Sequence, residues 1–135
     1  MPDVSGRPRV LVVDDERVIA DTLALILNKS GYIAKVAYSA EEALRLADLQ
    51  PPDILISDVL LDGTNGIGTA ASVANMAPGC RVLLISGQVI PSAMFQEANA
   101  VGKRFDVLLK PVHPQKLLSK LEEISGRAEE SPAIV

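Results

Sequence analysis

Five short aliphatic segments recur along the chain and alternate with segments of helical periodicity. The segments at Val10, Ile54 and Val82 are almost continuous Val, Ile and Leu, which is typical of parallel strands buried on both faces. The second segment is more polar and contains Lys35, which favours an edge strand protected by charge. The predicted strands are Arg9–Val13, Tyr32–Ala37, Ile54–Ser57, Arg81–Ile85 and Phe105–Leu109.

Apolar residues recur every three or four positions in the segments between and after the strands, which predicts five amphipathic helices. Ser39 and Glu42 form a capping box at the start of the second helix, and Pro51 follows its end. The predicted helices run from about Ile19 to near Gly31, from Ser39 to Leu49, from Thr64 or Asn65 to Met76, from Pro91 to about Val101, and from Pro114 to the residue before Gly126.

This alternation predicts a (βα)₅ chain that folds as one α/β domain. The expected architecture is flavodoxin-like and doubly wound, with a parallel five-stranded sheet of order 2-1-3-4-5 and helices on both faces. A chain of 135 residues can bury a sufficient core as one domain. We expect a flexible N-terminus over residues 1–8, the domain over residues 9–125, and a flexible tail over residues 126–135.

Chemically reactive side chains follow four of the five predicted strands. Asp14 and Asp15 follow strand 1, Asp58 follows strand 3, Ser86 follows strand 4, and Lys110 follows strand 5. In the order 2-1-3-4-5, strands 1 and 3 are neighbours at the point where the strand order reverses, and ligands bind outside the carboxyl ends of strands at that point. We therefore expect these side chains to converge in one crevice.

The chemistry of this set indicates a phosphate-handling site that depends on Mg²⁺. Three carboxylates in a partly desolvated crevice repel one another, so a proton or a cation must neutralise them. Oxygen ligands without a histidine suit Mg²⁺ completed by water and phosphate. Lys110 can clamp a phosphate as a point charge, and Ser86 can donate a hydroxyl. A carboxylate in line with such a clamp can attack phosphorus and form an aspartyl phosphate.

Each of these residues alone has an ordinary structural explanation. Asp14 or Asp15 would more often cap a helix, Asp58 and Ser86 would more often form turns, and Lys110 would more often be a solvated surface lysine. Turn chemistry does not explain why the three aspartates follow the two strands that flank the reversal point. The joint arrangement therefore favours the functional interpretation.

Composition narrows the remaining classes of protein. The net charge of −4 and the absence of a basic stripe or a zinc-ligand cluster argue against direct binding of nucleic acid. No apolar run approaches the roughly 18 residues that span a bilayer, and the first residues lack the layout of a signal peptide. The single cysteine, Cys80, excludes an internal disulfide and fits a reducing cytoplasm.

The motifs LVVDDE, DILISDVLLDGTNG, LLISG and LLKPV, at these intervals, resemble the receiver domain of two-component response regulators in the CheY-like superfamily. The resemblance covers about Arg9 to Ser125. It implies that Asp58 accepts a phosphoryl group from the phosphohistidine of a histidine kinase or a histidine phosphotransfer protein. It also implies that Asp15, Asp58 and the backbone carbonyl of Leu60 hold Mg²⁺ directly, with Asp14 acting largely through bound water.

The same resemblance implies that Lys110 pairs with the phosphoryl group, that a cis peptide precedes Pro111, and that Ser86 is the switch hydroxyl. Leu60 and Gln88 would flank the path of the water that hydrolyses the acyl phosphate. Because the aliphatic Leu60 cannot orient that water, we predict slow self-dephosphorylation.

Two positions depart from the family pattern. Val107 stands where receivers usually carry an aromatic residue that moves inward on activation, so transmission of the switch by that route is not expected. Asp62 stands where a proline is common, and an Asp62-Gly63 turn is the favoured interpretation. His113, beside two prolines, is interpreted as a helix-start residue.

The leading hypothesis is a stand-alone signalling phosphoacceptor in a two-component system or phosphorelay, which catalyses only its own phosphorylation and slow dephosphorylation. It would switch the binding of a downstream protein that the sequence does not name, and a phosphorylation-linked dimer remains open. The enzymatic alternative is a phosphatase or phosphotransferase with an aspartyl nucleophile, but those enzymes carry a D-x-D motif after strand 1. The third alternative is a pseudo-receiver, which typically lacks one of the acids or the lysine.

Overall fold

A parallel five-stranded sheet forms the centre of the protein. The computed structural model describes residues 6–61, 64–87 and 105–133. The main sheet has the order β2-β1-β3-β6-β7, which is the predicted order 2-1-3-4-5 of the five aliphatic segments. The strands are β1 (Arg9–Val13), β2 (Ile33–Ala37), β3 (Ile54–Asp58), β4 (Leu60–Leu61), β5 (Thr64–Asn65), β6 (Arg81–Ser86) and β7 (Phe105–Leu109).

The described residues contain four helices, and each of them coincides with a predicted helical segment. Ser39 caps α2 by accepting a hydrogen bond from the Glu42 N–H at 3.1 Å, as the capping box predicts. The predicted helix over residues 91–101 lies outside the described residues. No described helix is both long enough and apolar enough to cross a membrane. The helices are α1 (Arg17–Lys29), α2 (Ala40–Leu49), α3 (Gly66–Met76) and α4 (Pro114–Ala133).

The predicted end of the last helix is wrong. The sequence places this end before Gly126, whereas α4 continues to Ala133. A glycine inside a helix costs only about 1 kcal/mol relative to alanine, and Ala and Glu in the following turns favour the helix. The boundary drawn after residue 125 therefore does not coincide with the end of the helix.

The core lies on both faces of the sheet, as expected for a doubly wound fold. Even-numbered β1 residues such as Val10 pack with Leu27 of α1 and Leu117 of α4. Odd-numbered residues such as Leu11 pack with the alanine-rich faces of α2 and α3, where Ala43 is fully buried. Because both faces are covered, the reactive side chains must lie beyond the ends of the strands.

The exposed edge of β2 is protected from further pairing by side chains. Lys35 projects into solvent and donates a hydrogen bond to Gln50 Oε1 at 3.1 Å, in agreement with the predicted charged edge strand. Asn28, at the end of α1, accepts from the Ala34 N–H at 2.9 Å and donates to the Ala34 carbonyl oxygen at 3.4 Å. The amide of Asn28 thus occupies backbone groups that another strand would otherwise use.

A two-stranded antiparallel ribbon follows β3 directly and was not predicted. Leu60 pairs with Asn65 and Leu61 pairs with Thr64, and the Leu61 side chain is buried. The connecting residues 62–63, an Asp-Gly sequence typical of tight hairpin turns, lie outside the described residues. The pairing within the ribbon fixes the backbone of the segment that follows Asp58.

Candidate functional site

Backbone hydrogen bonds to neighbouring strands fix the segments that carry the site. The Asp14 N–H donates to the Ala37 carbonyl at 3.1 Å, and the Lys110 N–H donates to the Ser86 carbonyl at 2.8 Å. Immediately after Asp58, the Val59 N–H donates to the carbonyl oxygen of Ile85 at 2.9 Å. The sheet pairing therefore extends one residue past the strand ends and holds the site residues at one edge.

Lys110 lies at the centre of a group of carboxylates. Its Nζ is 3.2 Å from Asp58 Oδ2, 3.7 Å from Glu16 Oε1 and 3.9 Å from Asp14 Oδ2. One carboxylate oxygen from each of these three acids lies within 4.8 Å of the others. In the structure, the lysine ammonium is the cation that offsets the mutual repulsion of the three acids.

The two inner carboxylates are buried and oriented by backbone donors. Asp14 is 2% exposed and Asp58 is 7% exposed. The Glu16 N–H donates to Asp14 Oδ1 at 2.9 Å, and the Leu60 N–H lies 3.5 Å from Asp58 Oδ1. Because Lys110 engages Oδ2 of Asp58, both oxygens of that carboxylate have a partner of positive character.

The site shifts the pKa values of Asp14 and Lys110. Burial raises the pKa of Asp14, the hydrogen bond from the Glu16 N–H opposes this, and the charge of Asp58 raises it further. Burial alone would lower the pKa of Lys110, but its hydrogen bond with Asp58 and the three nearby acids raise it overall. Lys110 therefore stays protonated at neutral pH, whereas Asp14 ionises less readily than a solvated aspartate.

Ser86 is the last residue of β6. This strand lies between β3, which ends at Asp58, and β7, which precedes Lys110. Its side chain is buried, its neighbour Ile85 pairs with Asp58, and Ser86 itself pairs with Leu109. The Lys110–Pro111 peptide bond is cis, as the resemblance implies. The structure thus has the serine at the same edge of the sheet as the predicted phosphate site.

Of the five residues expected to converge, the structure brings Asp14, Asp58 and Lys110 into contact and has Ser86 at the same edge of the sheet. Asp15 is exposed and does not belong to the group of carboxylates. Glu16 takes that place, because the chain turns between Asp14 and the first residue of α1 and directs position 16 back towards Lys110. The available signal was the run of three consecutive acids after strand 1, of which only the first two were assigned.

The secondary residues follow the expected pattern where they are described. His113 accepts a hydrogen bond from the Leu117 N–H at 3.0 Å and starts α4, as predicted. Val107 is partly buried and packs against the core cluster that contains Phe105, on the same face of β7. Asp62 and Gln88 lie outside the described residues.

An apolar groove of about 580 Å³ opens beside the site. We call it the α1 groove. Val18, which lines the groove, is 79% exposed. The α1 groove is lined by Val18, Ile19, Thr22, Leu23 and Ile26 of α1, and by Ile85, Gly87, Lys110, Pro111, Val112 and Pro114. Because Lys110 lines both the groove and the carboxylate group, the two are continuous.

Similar proteins carry related domains. A CheY-like receiver domain protein from Methanospirillum hungatei superimposes with a TM-score of 0.80 at 26% identity, covering 93% of this chain and 99% of that one. Chemotaxis protein CheY4 of Vibrio cholerae gives a TM-score of 0.78 at 29% identity, covering 87% and 98%. A Burkholderia pseudomallei response regulator, crystallised with a phosphorylated aspartic acid, a calcium ion and citrate, gives 0.75 at 28% identity, covering 93% and 74%.

Longer regulators match over part of their length. The transcriptional regulatory protein SphR of Synechococcus elongatus is 27% identical in an alignment that covers 98% of this chain and 54% of that protein. The uncharacterised regulator YbdJ of Bacillus subtilis is 29% identical over 116 residues, covering 86% and 50%. The chain thus spans about half the length of these relatives. The family model for the response regulator receiver domain matches residues 10–122, and the chain belongs to this family of two-component signalling domains.

Proposed function

We propose that Asp58 accepts a phosphoryl group from the phosphohistidine of a histidine kinase or a histidine phosphotransfer protein, in a reaction that depends on Mg²⁺. One observation carries the proposal. Lys110 Nζ lies 3.2 Å from Asp58 Oδ2, within a group of buried acids at the carboxyl edge of the sheet. An ammonium held against a carboxylate can neutralise an incoming phosphoryl group as that carboxylate attacks it.

The proposed transfer forms one bond and breaks one bond. A lone pair on an Asp58 carboxylate oxygen forms the new O–P bond, while the P–N bond of the donor phosphohistidine breaks. The imidazole nitrogen keeps the bonding pair and takes a proton from solvent. Lys110 stays protonated and pairs with the phosphoryl oxygens, and the Ser86 hydroxyl donates a hydrogen bond to them after transfer. The product is an aspartyl phosphate and a free histidine.

The acids of the site fit a hard divalent cation. Oxygens of Asp14 and Asp58 lie within 4.8 Å of each other, with an oxygen of the exposed Glu16 equally near. Within the described part of the chain no nitrogen or sulfur ligand joins them, which is the donor chemistry that Mg²⁺ prefers. The family pattern assigns the direct ligands to Asp15, Asp58 and the Leu60 carbonyl. When bound, the cation would supply positive charge to the phosphoryl oxygens. The calcium ion and phosphorylated aspartic acid of the Burkholderia pseudomallei relative support the same chemistry here.

The chain's own residues disfavour the two alternatives. A phosphatase needs a polar group to orient water, but the side chain after the nucleophile segment is the exposed, aliphatic Leu60. A pseudo-receiver interaction module has no need for the full set of acids and lysine, and Asp14, Asp58 and Lys110 are in contact here. We therefore favour a signalling phosphoacceptor that acts on no other substrate and works in the cytoplasm.

The donor protein requires a surface beside Asp58, and we propose that it docks on the α1 groove. Any apolar segment seated against Val18 and Ile19 lies next to Lys110, because all three line the same groove. Burying an exposed aliphatic side chain stabilises a complex by about 1.5–3 kcal/mol. The groove can thus provide affinity for a protein donor while the carboxylate group provides the chemistry.

Intact mass spectrometry tests the central proposal. The protein is incubated with acetyl phosphate and Mg²⁺, and we expect its mass to increase by one phosphoryl group. Because hydroxylamine cleaves acyl phosphates, we expect it to remove this added mass. Asp58→Ala should show no increase, whereas Asp48→Ala, which changes an exposed aspartate of α2, should behave as wild type. A phosphoryl group that persists in Asp58→Ala, or none in the wild type, would contradict the proposal.

A further inference from the structure

Glu16 occupies the N-cap position of α1 without acting as a cap. Its backbone has φ −82° and ψ 101°, and its side chain makes no capping hydrogen bond. Glutamate is not among the residues favoured at this position, where Ser, Thr, Asp and Asn predominate. Helix capping therefore does not explain the glutamate at this position, and its carboxylate is available for another contact.

The carboxylate of Glu16 contacts Lys110 instead. Glu16 Oε1 lies 3.7 Å from Lys110 Nζ, although 63% of the Glu16 side chain is exposed. Its backbone is fixed, since the N–H donates to Asp14 Oδ1 at 2.9 Å and the carbonyl accepts from the Ala20 N–H at 3.0 Å. An anchored backbone with an exposed side chain can hold the lysine and can also swing away into solvent.

We propose that Glu16 is a positioning residue that shares the Lys110 ammonium with Asp58 before phosphorylation and releases it to the incoming phosphoryl group. The inference rests on the proposed function. Asp58 loses its charge when it forms the acyl phosphate, and Asp14 is buried and remains oriented by the Glu16 N–H. Glu16 is thus the acid that competes with the phosphoryl oxygens for Lys110 from the solvent side.

The Glu16→Gln variant removes the charge and keeps the length of the side chain. With Mg²⁺ saturating, we expect acetyl phosphate to phosphorylate Asp58 about two- to fivefold faster, the range that a weak exposed ion pair supports. Glu41→Gln is the matched control, because Glu41 also lies at a helix N-terminus, in the first turn of α2, and is exposed. This control loses the same charge, and we expect no change in its rate.

A double-mutant cycle with Lys110→Met tests whether Glu16 acts through the lysine. We expect Glu16→Gln to leave the rate unchanged when Lys110 is absent. Acceleration that persists in full in the Lys110→Met background would overturn the inference, since Glu16 would then act directly on the donor. If Lys110→Met reacts too slowly to measure, the ¹³Cε resonance of Lys110 decides: it should move in Glu16→Gln and not in Glu41→Gln, and an unmoved signal overturns the inference.

Calorimetric titration with Mg²⁺ separates positioning from metal ligation. A loss of affinity of about tenfold or more in Glu16→Gln would identify Glu16 as part of the metal site and would overturn the positioning role. Equal phosphorylation rates in wild type and Glu16→Gln would refute this inference alone. A wild-type protein that takes up no phosphoryl group would instead refute the proposed function.

Discussion

At the scale of single residues, burial and the neighbouring acids destabilise the ionised form of Asp14 in the folded protein. Its carboxyl group is 2% exposed and lies close to Asp58 and Glu16. Burial, followed by these charges, raises its pKa above the value in the unfolded chain, despite the opposing hydrogen bond and Lys110. Removing the charge at Asp14 should therefore stabilise the metal-free protein at neutral pH.

The raised pKa of Asp14 also predicts how the stability difference between the variant and wild type changes with pH. Because the folded pKa of Asp14 is raised, its contribution to stability is fully present below the unfolded pKa and is lost as pH rises through the folded pKa. We expect Asp14→Asn to be more stable than wild type at pH 7, and the difference to shrink on acidification towards pH 4. Urea unfolding in EDTA measures it, with Asp48→Asn as an exposed control that should lack this trend.

We predict that Leu60 prolongs the lifetime of the proposed acyl phosphate. Its side chain is 62% exposed and its N–H faces Asp58 Oδ1, but this aliphatic side chain has no polar group that could orient a water for hydrolysis. We expect Leu60→Asn to hydrolyse the phosphorylated form about fivefold faster, the effect of one hydrogen bond of about 1 kcal/mol. Decay of the phosphorylated mass over time measures the rate, and an unchanged or slower decay would count against this role.

At the scale of elements, the contact between α3 and β3 determines where Asp58 sits. A Cβ atom at Gly66 would lie 2.0 Å from the Asp58 carbonyl oxygen and 2.9 Å from that of Val59. Gly66 also donates its N–H to the Val59 carbonyl at 2.6 Å. The first residue of α3 must therefore be glycine for the helix to approach the nucleophile segment this closely.

Gly66→Ala tests this contact against a control in the same helix. We expect it to lower the free energy of unfolding by about 2 kcal/mol or more, because backbone rather than a side chain must move. Gly68→Ala, with nothing within 4 Å of its added Cβ, should raise the free energy of unfolding by about 0.5–1 kcal/mol. Chemical denaturation of both variants measures the difference, and similar effects would contradict the steric argument.

The elements that could be predicted from the sequence are those with a local signal. Aliphatic runs such as ILIS predict buried strands, and the capping box of Ser39 and Glu42 predicts the start of α2. For the side chains that complete the edge of β2 and the site, the local sequence does not decide which contact forms. Asn28 reaches Ala34 only after α1 and β2 pack together, and Glu16 rather than Asp15 faces Lys110 because of the turn before α1. Tertiary geometry decides these contacts.

At the scale of the whole molecule, the proposed function assigns the chemistry to the carboxylate group and the docking of the donor protein to the α1 groove. Any phosphoryl donor, including a small molecule such as acetyl phosphate, would react at the same carboxylate group of this protein. The α1 groove adjoins that group through Lys110 and offers an aliphatic surface that a protein donor could cover, and that acetyl phosphate does not need. The regulators SphR and YbdJ are about twice as long as this chain, and a partner surface on the receiver itself could serve a regulator of either length.

Val18→Asn tests this division. Val18 is 79% exposed and lines the α1 groove, so the variant should fold normally and should react with acetyl phosphate as wild type does. We expect transfer from a phosphorylated histidine kinase to slow about tenfold, as for the loss of about 1.4 kcal/mol of docking energy. Leu25→Asn, on the same helix and 55% exposed but outside the groove, should affect neither reaction. Equal loss with both donors would place the defect in the chemistry, and equal loss in both variants would remove the groove from recognition.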